Sequence, residues 1–522
     1  MHLIGMRASN AWNLLAICTF VTMNVSLLLH GTFVIDESPR KRFLERECNQ
    51  FNASKVQTRT NTTTTTTTST SACMYIMDDN HYLIEWLAYH YHVMNLRHLI
   101  ITTDPNSMTS PKKILDRWRD RMSIQLWTDD DFLPADIDEK VHKAAFDDQG
   151  NQRKDVGLEY HRARQAAFNL ECLREHKRRN RGWTMVIDVD EYMTFNPDLL
   201  AINPEDDEWI LDWIVPPVEE AGSVATILHN LILPNPDYED LTSPCVPVYR
   251  RQFSAHESPQ QQILAVTPDG FDGRNFQTLR WRRFGGNHDV YKTKVNITCN
   301  IRREVPNKVI VDLGRLRLLD LDHPKNKGNP HTPLGSICPK NIYLGLEDTP
   351  LMVNHYMGTM EQWLYRSGDK RGKGYRVARY EDLNIRLGHK STDQVARWLQ
   401  GFVKSVGDNE ASRLLEGVGV LEPLPKQPLE TELESNKGET KPFYKVGDVV
   451  QANYKGDGYW SWAEITAVHS NGFYNIIFLS DCSEEIATFE ERLRLTGNTD
   501  DATEYEVDVK QLALQSGAAK PA

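Results

Sequence analysis

Three carboxylates, Asp188, Asp190 and Glu191, follow directly on the apolar run Met185-Val186-Ile187. A short apolar run with β-branched residues reads as a buried strand. Carboxylates at its end are costly unless something cationic meets them. On a continuing strand Asp188 and Asp190, two apart, share one face. Two hard oxygen ligands on one face suit Mg²⁺ or Mn²⁺, ions that commonly bridge to a phosphate. The chemistry this predicts is an Asp-x-Asp metal site holding a nucleotide diphosphate. The competing reading is an acidic turn after a strand, with Glu191 merely solvated.

The elements that would position these residues are legible on either side. Cys73-Met-Tyr-Ile-Met77 reads as a strand, and His81 to Met94 as a helix with Leu83, Trp86, Leu87, Tyr91 and Met94 at helical spacing. His98 to Thr102 is a second strand that ends in the breaker-rich turn Thr103-Asp-Pro-Asn-Ser107. A helix over 111–122, a strand over 123–128 and a long basic helix over 159–178 precede the acidic strand. Strand, helix, strand, helix, strand predicts an α/β fold around a parallel sheet. Ligands bind beyond the carboxyl ends of such strands. Asp78, Asp104, Asp188 and Asp190 all fall at those ends, which makes them candidate walls of one cleft.

The order Met74-Tyr-Ile-Met-Asp-Asp-Asn-His-Tyr-Leu-Ile-Glu-Trp-Leu-Ala-Tyr-His90, then Leu99-Ile-Ile-Thr-Thr-Asp-Pro-Asn-Ser107, then Val186-Ile-Asp-Val-Asp-Glu-Tyr192 resembles the glycosyltransferase family 92 enzymes and their family 2-like relatives. The similarity extends to Phe284-Gly-Gly-Asn-His288, Val353-Asn-His-Tyr356 and Glu361-Gln-Trp363, and covers roughly 72–390. It implies a GT-A (Rossmann-like) mixed sheet flanked by helices, a nucleotide-sugar donor, UDP-linked first of all, and Mn²⁺ or Mg²⁺. It places Asp188 and Asp190 on the metal, Asp104 near the nucleoside, and His355 as the late histidine of the metal or diphosphate site. Two positions depart from the family pattern: Asp78-Asp-Asn80 stands where Asn-Glu is usual, and Asn287 where a hydroxyl is usual.

The chemistry is coherent without the resemblance. A departing sugar diphosphate gathers negative charge, which a cation and basic side chains stabilise. Arg162 and Arg164, or Arg366, Lys370, Arg371 and Lys373, could supply that charge, with Arg164 and Arg366 the expected donor contacts. The second group reads equally well as a solvated basic loop. An inverting transfer also needs a carboxylate base for the acceptor hydroxyl. Glu191, Glu257, Asp272 and Asp289 are the candidates, and Asp289, in a glycine-rich loop that lets backbone approach a ligand, is preferred.

The remainder of the chain supplies an address. A net charge of −12 over 522 residues argues against nucleic-acid binding through a basic surface. The eight cysteines include no C-x-x-C pair, so a zinc site is not expected and disulfides need an oxidising compartment. Ala11 to Leu29 is apolar and uncharged, about the ~20 residues a bilayer requires. Residues 1–30 are therefore read as a signal anchor and 31–71, with its threonine tract, as an unfolded stem. Sequons at Asn52, Asn61 and Asn296 fit a lumenal body. The flanking charges, Arg7 before and Arg40, Lys41, Arg42 and Arg46 after, read literally point the other way. The layout predicts a single-pass membrane protein of the Golgi or secretory pathway acting on a glycan or glycoprotein acceptor.

After the body (72–420) and a Pro- and Glu-rich linker (421–442), residues 443–496 carry evenly spaced short strands and the hairpin signal Asn471-Gly472. A polar tail, 497–522, follows. The pattern of 443–496 resembles Tudor or agenet-type SH3-like barrels. Tyr454, Trp460, Trp462 and Phe478 could form a cage for a methylated lysine by cation–π contact. The preferred reading makes them the core of a ~50-residue barrel, which needs large side chains to be stable. The alternative function is a non-catalytic binding protein that uses this cage on a degenerate transferase scaffold.

Overall fold

The computed structural model describes residues 69–146, 155–196, 216–228, 244–285, 288–302, 307–338, 351–365, 373–387, 390–423, 443–453, 460–469, 472–489 and 492–494. The apolar segment 11–29, the threonine tract up to residue 68, Asn52, Asn61, Asn287, Arg366, Lys370, Arg371 and Tyr454 lie outside them; the stem read through 71 ends earlier, because Thr70 and Ser71 already belong to a strand.

The body is a mixed α/β fold. β1 (Thr70–Ile76), β2 (Leu96–Thr103), β3 (Ser123–Trp127) and β4 (Trp183–Val186) are mutually parallel in the order β3-β2-β1-β4. β1 is buried along nearly its whole length, as a central parallel strand covered on both faces must be. Beyond β4 the sheet continues through antiparallel β10 (Lys308–Asp312) to β6 (Cys245–Phe253), β7 (Arg283–Phe284) and β12 (Lys390–Ser391). β6 divides its partners. Cys245 to Val248 pair with β10, whereas Tyr249 to Phe253 pair with β11 (Leu351–Tyr356), which also pairs with β5 (Glu191–Phe195). That division carries β5 and β11 to the end of β4.

The helix Asn80–Val93 is buried almost all round, its polar Asn80, His81, Glu85, His90 and His92 included, because both sides are covered. Tyr89 meets Trp398 edge-on at 5.4 Å on one side. On the other, Trp86 Nε1 donates to the Glu191 carbonyl at 3.0 Å and Tyr89 Oη to that of Met193 at 2.8 Å. His90 lies between Trp86 O (2.9 Å) and the Met193 amide, whose N–H donates to its Nε2 at 3.1 Å. Burial pushes its pKa down to about 3, so the ring is neutral and its tautomer is set by these partners. The helix thus fixes the strand that begins with the third carboxylate of the acidic motif.

Glu85 on the same helix is fully buried and accepts from the Gln277 and Thr278 amides and from Thr278 Oγ1 (2.5, 3.0 and 2.6 Å). Glu85→Ala leaves the two backbone amides buried without an acceptor, at about 1–3 kcal/mol each, while the Thr278 hydroxyl can rotate. The expected outcome is a loss of roughly 2–6 kcal/mol in urea unfolding, and an unchanged midpoint would refute this role.

The helix expected over 111–122 is regular only at Lys112–Asp116, after which the Arg117, Trp118 and Arg121 amides reach back three residues instead of four. The long basic helix spans Val156–Arg178, capped by Asp155, whose carboxylate accepts from the Leu158 amide at 2.7 Å. Disulfides join Cys73 to Cys172, Cys245 to Cys338 and Cys299 to Cys482.

The C-terminal segment forms a separate antiparallel sheet. Its strands are β13 (Val449–Asn453), β14 (Trp460–Val468), β15 (Phe473–Phe478), β16 (Glu484–Phe489) and β17 (Leu493–Arg494), in the order β16-β15-β14-β13-β17. One face holds its core, including Val450, Ala452, Ala463, Ile465, Tyr474, Ile476 and Phe478. The other face of β15 lies on the body: Ile477 joins Cys299, and Phe473 joins Ala378 of the helix Lys373–Arg386. Asn475 Nδ2 donates to Asp382 Oδ1 at 2.9 Å. The Glu464 carboxylate accepts from the Lys294 amide, in the turn between β8 (His288–Lys292) and β9 (Thr298–Arg302). The segment read as a tethered module is therefore bonded to the body through a disulfide and buried polar contacts.

Candidate functional site

A cleft of about 650 Å³ opens at the carboxyl ends of β1, β2 and β4. Tyr75 lines it from β1, Met77 and Asp79 from just beyond β1, Asp104 and Asn106 from beyond β2, Asp188 and Asp190 from beyond β4. The long helix adds Tyr160, His161, Arg162 and Arg164. A further loop contributes Pro330 and His331.

The acidic motif is not a continuing strand. β4 stops at Val186, and the chain turns through 188–190, with the Glu191 amide donating to Asp188 O at 3.1 Å, before β5 begins. The shared-face argument from strand alternation therefore fails, yet both aspartates border the cleft. The turn is pinned from three sides. The Asp188 amide donates to Glu191 Oε2 at 2.9 Å, the Tyr356 amide to the Asp190 carbonyl at 3.0 Å, and Trp86 to that of Glu191.

Each carboxylate has a different partner. Asp188 Oδ2 accepts from Lys308 Nζ at 2.8 Å; Lys308 is completely buried, and the Asp188 side chain is 38 % exposed. Burial resists ionisation of Asp188, but Lys308 and Arg250 outweigh it and hold its pKa below the usual carboxylate range. Glu191 is not solvated. It is completely buried, 2.7 Å from Arg250 Nε and 3.3 Å from Lys308 Nζ. Asp190 Oδ2 lies 3.2 Å from His355 Nε2, with the Asp190 side chain 14 % exposed toward the cleft. The two meet because β11 pairs with β5, setting His355 opposite Glu191. His355 Nδ1 has no hydrogen-bond partner.

Asp104, expected near a nucleoside, is enclosed by protein contacts. Asp104 is buried and accepts four hydrogen bonds: Tyr75 Oη (2.8 Å) and His161 Nδ1 (2.9 Å) on Oδ2, and the amide and side-chain nitrogens of Asn106 (both 2.8 Å) on Oδ1. Burial works against its charge, but His161, Asn106 and Tyr75 prevail and hold its pKa at about 2. Arg164, expected at the phosphates, is buried, clasps Asp129 with both terminal nitrogens and donates to Tyr75 Oη from Nε at 3.4 Å. Arg162 pairs with Glu159 at 2.6 Å on the exposed side.

Asp78, expected as a cleft wall, turns away and accepts from the Met108 and Thr109 amides at 2.7 and 2.8 Å. Its neighbour Asp79 takes the place on the wall. Of the base candidates, Glu257 pairs with Arg280 and Asp272 with Arg274, both outside the cleft lining. Asp289 sits on β8 opposite Ile301.

The residues that sequence reading passed over are Lys308, Arg250, His331 and His161. Lys308 is a lone cation at the start of an apolar strand, and its counter-charges are distant in sequence. His331 had a local signal in Gly328-Asn-Pro-His331. Gly328 has φ +68, and a Cβ there would lie 1.8 Å from the Ala166 carbonyl oxygen, so only glycine lets the loop lie on the long helix. His331 Nδ1 is 3.0 Å from Asn307 O, and burial with the nearby Lys308 and Arg250 charges pushes its pKa down to about 4. A neutral imidazole therefore borders the cleft beside the aspartates.

Asp190 on the cleft wall and buried His355 behind it, 3.2 Å apart, would offer one carboxylate and one imidazole ligand to a divalent cation, with the remaining positions left to water and phosphate. Among the described residues, the trio with ligand atoms within 4.8 Å of one another is Cys73, Cys172 and His176, and its two sulfurs are joined in a disulfide.

The supposed aromatic cage does not assemble. Phe478 pairs with Ala463 and lies on the core face, whereas Trp460 and Trp462 alternate to the opposite face of β14. The Arg494 guanidinium covers the Trp460 ring at 4.0 Å.

The fold and cleft define an α/β protein with a carboxylate–imidazole site beyond the ends of parallel strands. Set against family models, curated proteins and solved structures, the chain matches none of them.

Proposed function

We propose that this chain is a metal-dependent glycosyltransferase of the GT-A type, resembling family 92, that moves a sugar from a nucleotide-sugar donor to a glycan or glycoprotein. The observation that carries the reading is Asp188 and Asp190 together on the wall of a cleft large enough for a nucleotide, with buried His355 3.2 Å behind Asp190. The antiparallel β10 beside parallel β4 supports the GT-A assignment. Asp190 and His355 would hold the divalent cation, which when bound offsets the charge of the diphosphate. Lys308 and Arg250 together offset the charges of Asp188 and Glu191, so the wall carries less net negative charge toward a polyphosphate. Asp289 on β8 remains the proposed acceptor base.

A lumenal, Golgi-type address fits the three disulfides, which persist in oxidising compartments. Asn296 is exposed in the turn of the β8–β9 hairpin, open to glycosylation. No helix among the described residues is long and apolar enough to cross a membrane, and the proposed anchor at 11–29 lies outside them. The C-terminal sheet is proposed as an SH3-like accessory barrel without a methyl-lysine cage.

The test is a screen of UDP- and GDP-sugars for hydrolysis by residues 72–522, with and without Mn²⁺. At least one donor is expected to turn over only with the metal. Absence of turnover and of nucleotide binding across the panel would reject the assignment.

A further inference from the structure

Asp104 stands where an aspartate would be expected to meet the nucleoside, yet it has nothing left to offer. Both oxygens already accept two hydrogen bonds each, all four from protein groups. A carboxylate so saturated acts as an anchor for its donors. Tyr75 keeps its proton, because burial and the Asp104 charge both raise its pKa, and it fills one of those positions. His161 fills another, and its Nδ1 hydrogen is committed to Oδ2. The ring, edge-on to Tyr75 at 5.4 Å, lies in the first turns of the long helix and lines the cleft with its side chain 32 % exposed. Its Nδ1 is therefore engaged by Asp104, which leaves Nε2 as the ring nitrogen available to a ligand in the cleft.

We propose that His161, held by Asp104, is the residue that reads the ribose of the nucleotide, with its Nε2 meeting a ribose hydroxyl. This rests on the nucleotide-sugar reading above. The chemistry selects a hydroxyl over a phosphate. With its Nδ1 hydrogen on Asp104, the ring can meet an ionised phosphate at Nε2 only if it carries a second proton, because such a phosphate has no hydrogen to give, whereas a hydroxyl pairs with Nε2 in either state. A hydroxyl donates to that nitrogen and also accepts from it when the ring is protonated. The buried charge of Asp104, 2.9 Å behind the ring, further disfavours an anion at this end. The diphosphate belongs at the other end, beside Asp190.

The test titrates the protein in Mn²⁺ with UDP and GDP, each against its 2′,3′-dideoxy counterpart, by calorimetry. The wild type is expected to bind the ribose form of its nucleotide roughly tenfold tighter, the worth of one such hydrogen bond. His161→Ala should bind both forms equally, at the affinity the wild type shows for the dideoxy form. That unchanged dideoxy affinity also reports that the variant is folded. Asp104→Asn, which loosens the ring without removing it, should lose part of the preference. A His161→Ala protein that keeps the full ribose preference overturns the proposal and leaves the transferase reading standing. A wild type that binds neither nucleotide overturns both.

Discussion

Asp190→Asn is expected to lower sugar transfer by about three orders of magnitude while the protein stays folded. The size follows from the several kcal/mol that a cation contributes to charge stabilisation in such a step, each ~1.4 kcal/mol being tenfold in rate. The replacement keeps the volume of the side chain but removes the anionic oxygen 3.2 Å from His355 Nε2. Two carbonyl-like or neutral nitrogen ligands hold a hard divalent ion far less well than a carboxylate and an imidazole. Two measurements separate this role from a structural one. Mn²⁺ affinity, read by electron paramagnetic resonance without donor, should weaken along with activity. The urea midpoint should barely move, because the turn at 188–191 is pinned through backbone groups: the Asp188 amide, the Asp190 carbonyl and the Glu191 carbonyl. Wild-type turnover in the variant would remove the proposed site from the mechanism.

Lys308→Met is expected to act on the fold first. The ammonium is completely buried, 2.8 Å from Asp188 and 3.3 Å from the completely buried Glu191. Methionine matches the length of the stem but leaves both carboxylates facing one another with Arg250 alone as counter-charge. Breaking a buried ion pair from one side costs about 3–5 kcal/mol, because an uncompensated charge remains inside. Urea unfolding should show that loss. Adding Glu191→Gln should restore a substantial part, since it removes the stranded charge. If the single variant is as stable as the wild type, the Lys308 cluster does not support the acidic turn. The ordering of the two variants also tests the division of labour between the aspartates: Asp190 for the cation, Asp188 for the internal lysine.

Much of the body could be read from one dimension. The alternation of apolar strands with helices along 70–195 follows from hydrophobic periodicity. That periodicity records which residues are hidden from water, whatever they are hidden against. The position of Asp104 and of the 188–190 aspartates at strand ends, and so on one cleft, followed from the same pattern. The errors have a common origin. Strand alternation reaches Asp190 only if the strand runs four residues past Val186, whereas a turn and not a ladder carries Asp188 and Asp190. Asp78 and Asp79 differ only in which way the backbone turns, and Asp78 takes the left-handed φ of 55° that swings its carboxylate to the 108–109 amides. Arg164 looked free for phosphate because its partner, Asp129, lies 35 residues away. In the C-terminal sheet, alternation alone separates Phe478 from Trp462, but only with the register that pairs Phe478 with Ala463.

What the sequence determined by itself is the order of elements and the kinds of atom available at their ends, because burial and oxygen chemistry are properties of local residue types. The tertiary structure decided which charges meet. Lys308, Arg250 and His355 reach the acidic turn from β10, β6 and β11, strands that arrive 60 to 165 residues later. Electrostatic pairing depends on distance through space, and in a mixed sheet that distance is set by strand order and register, which no local pattern records.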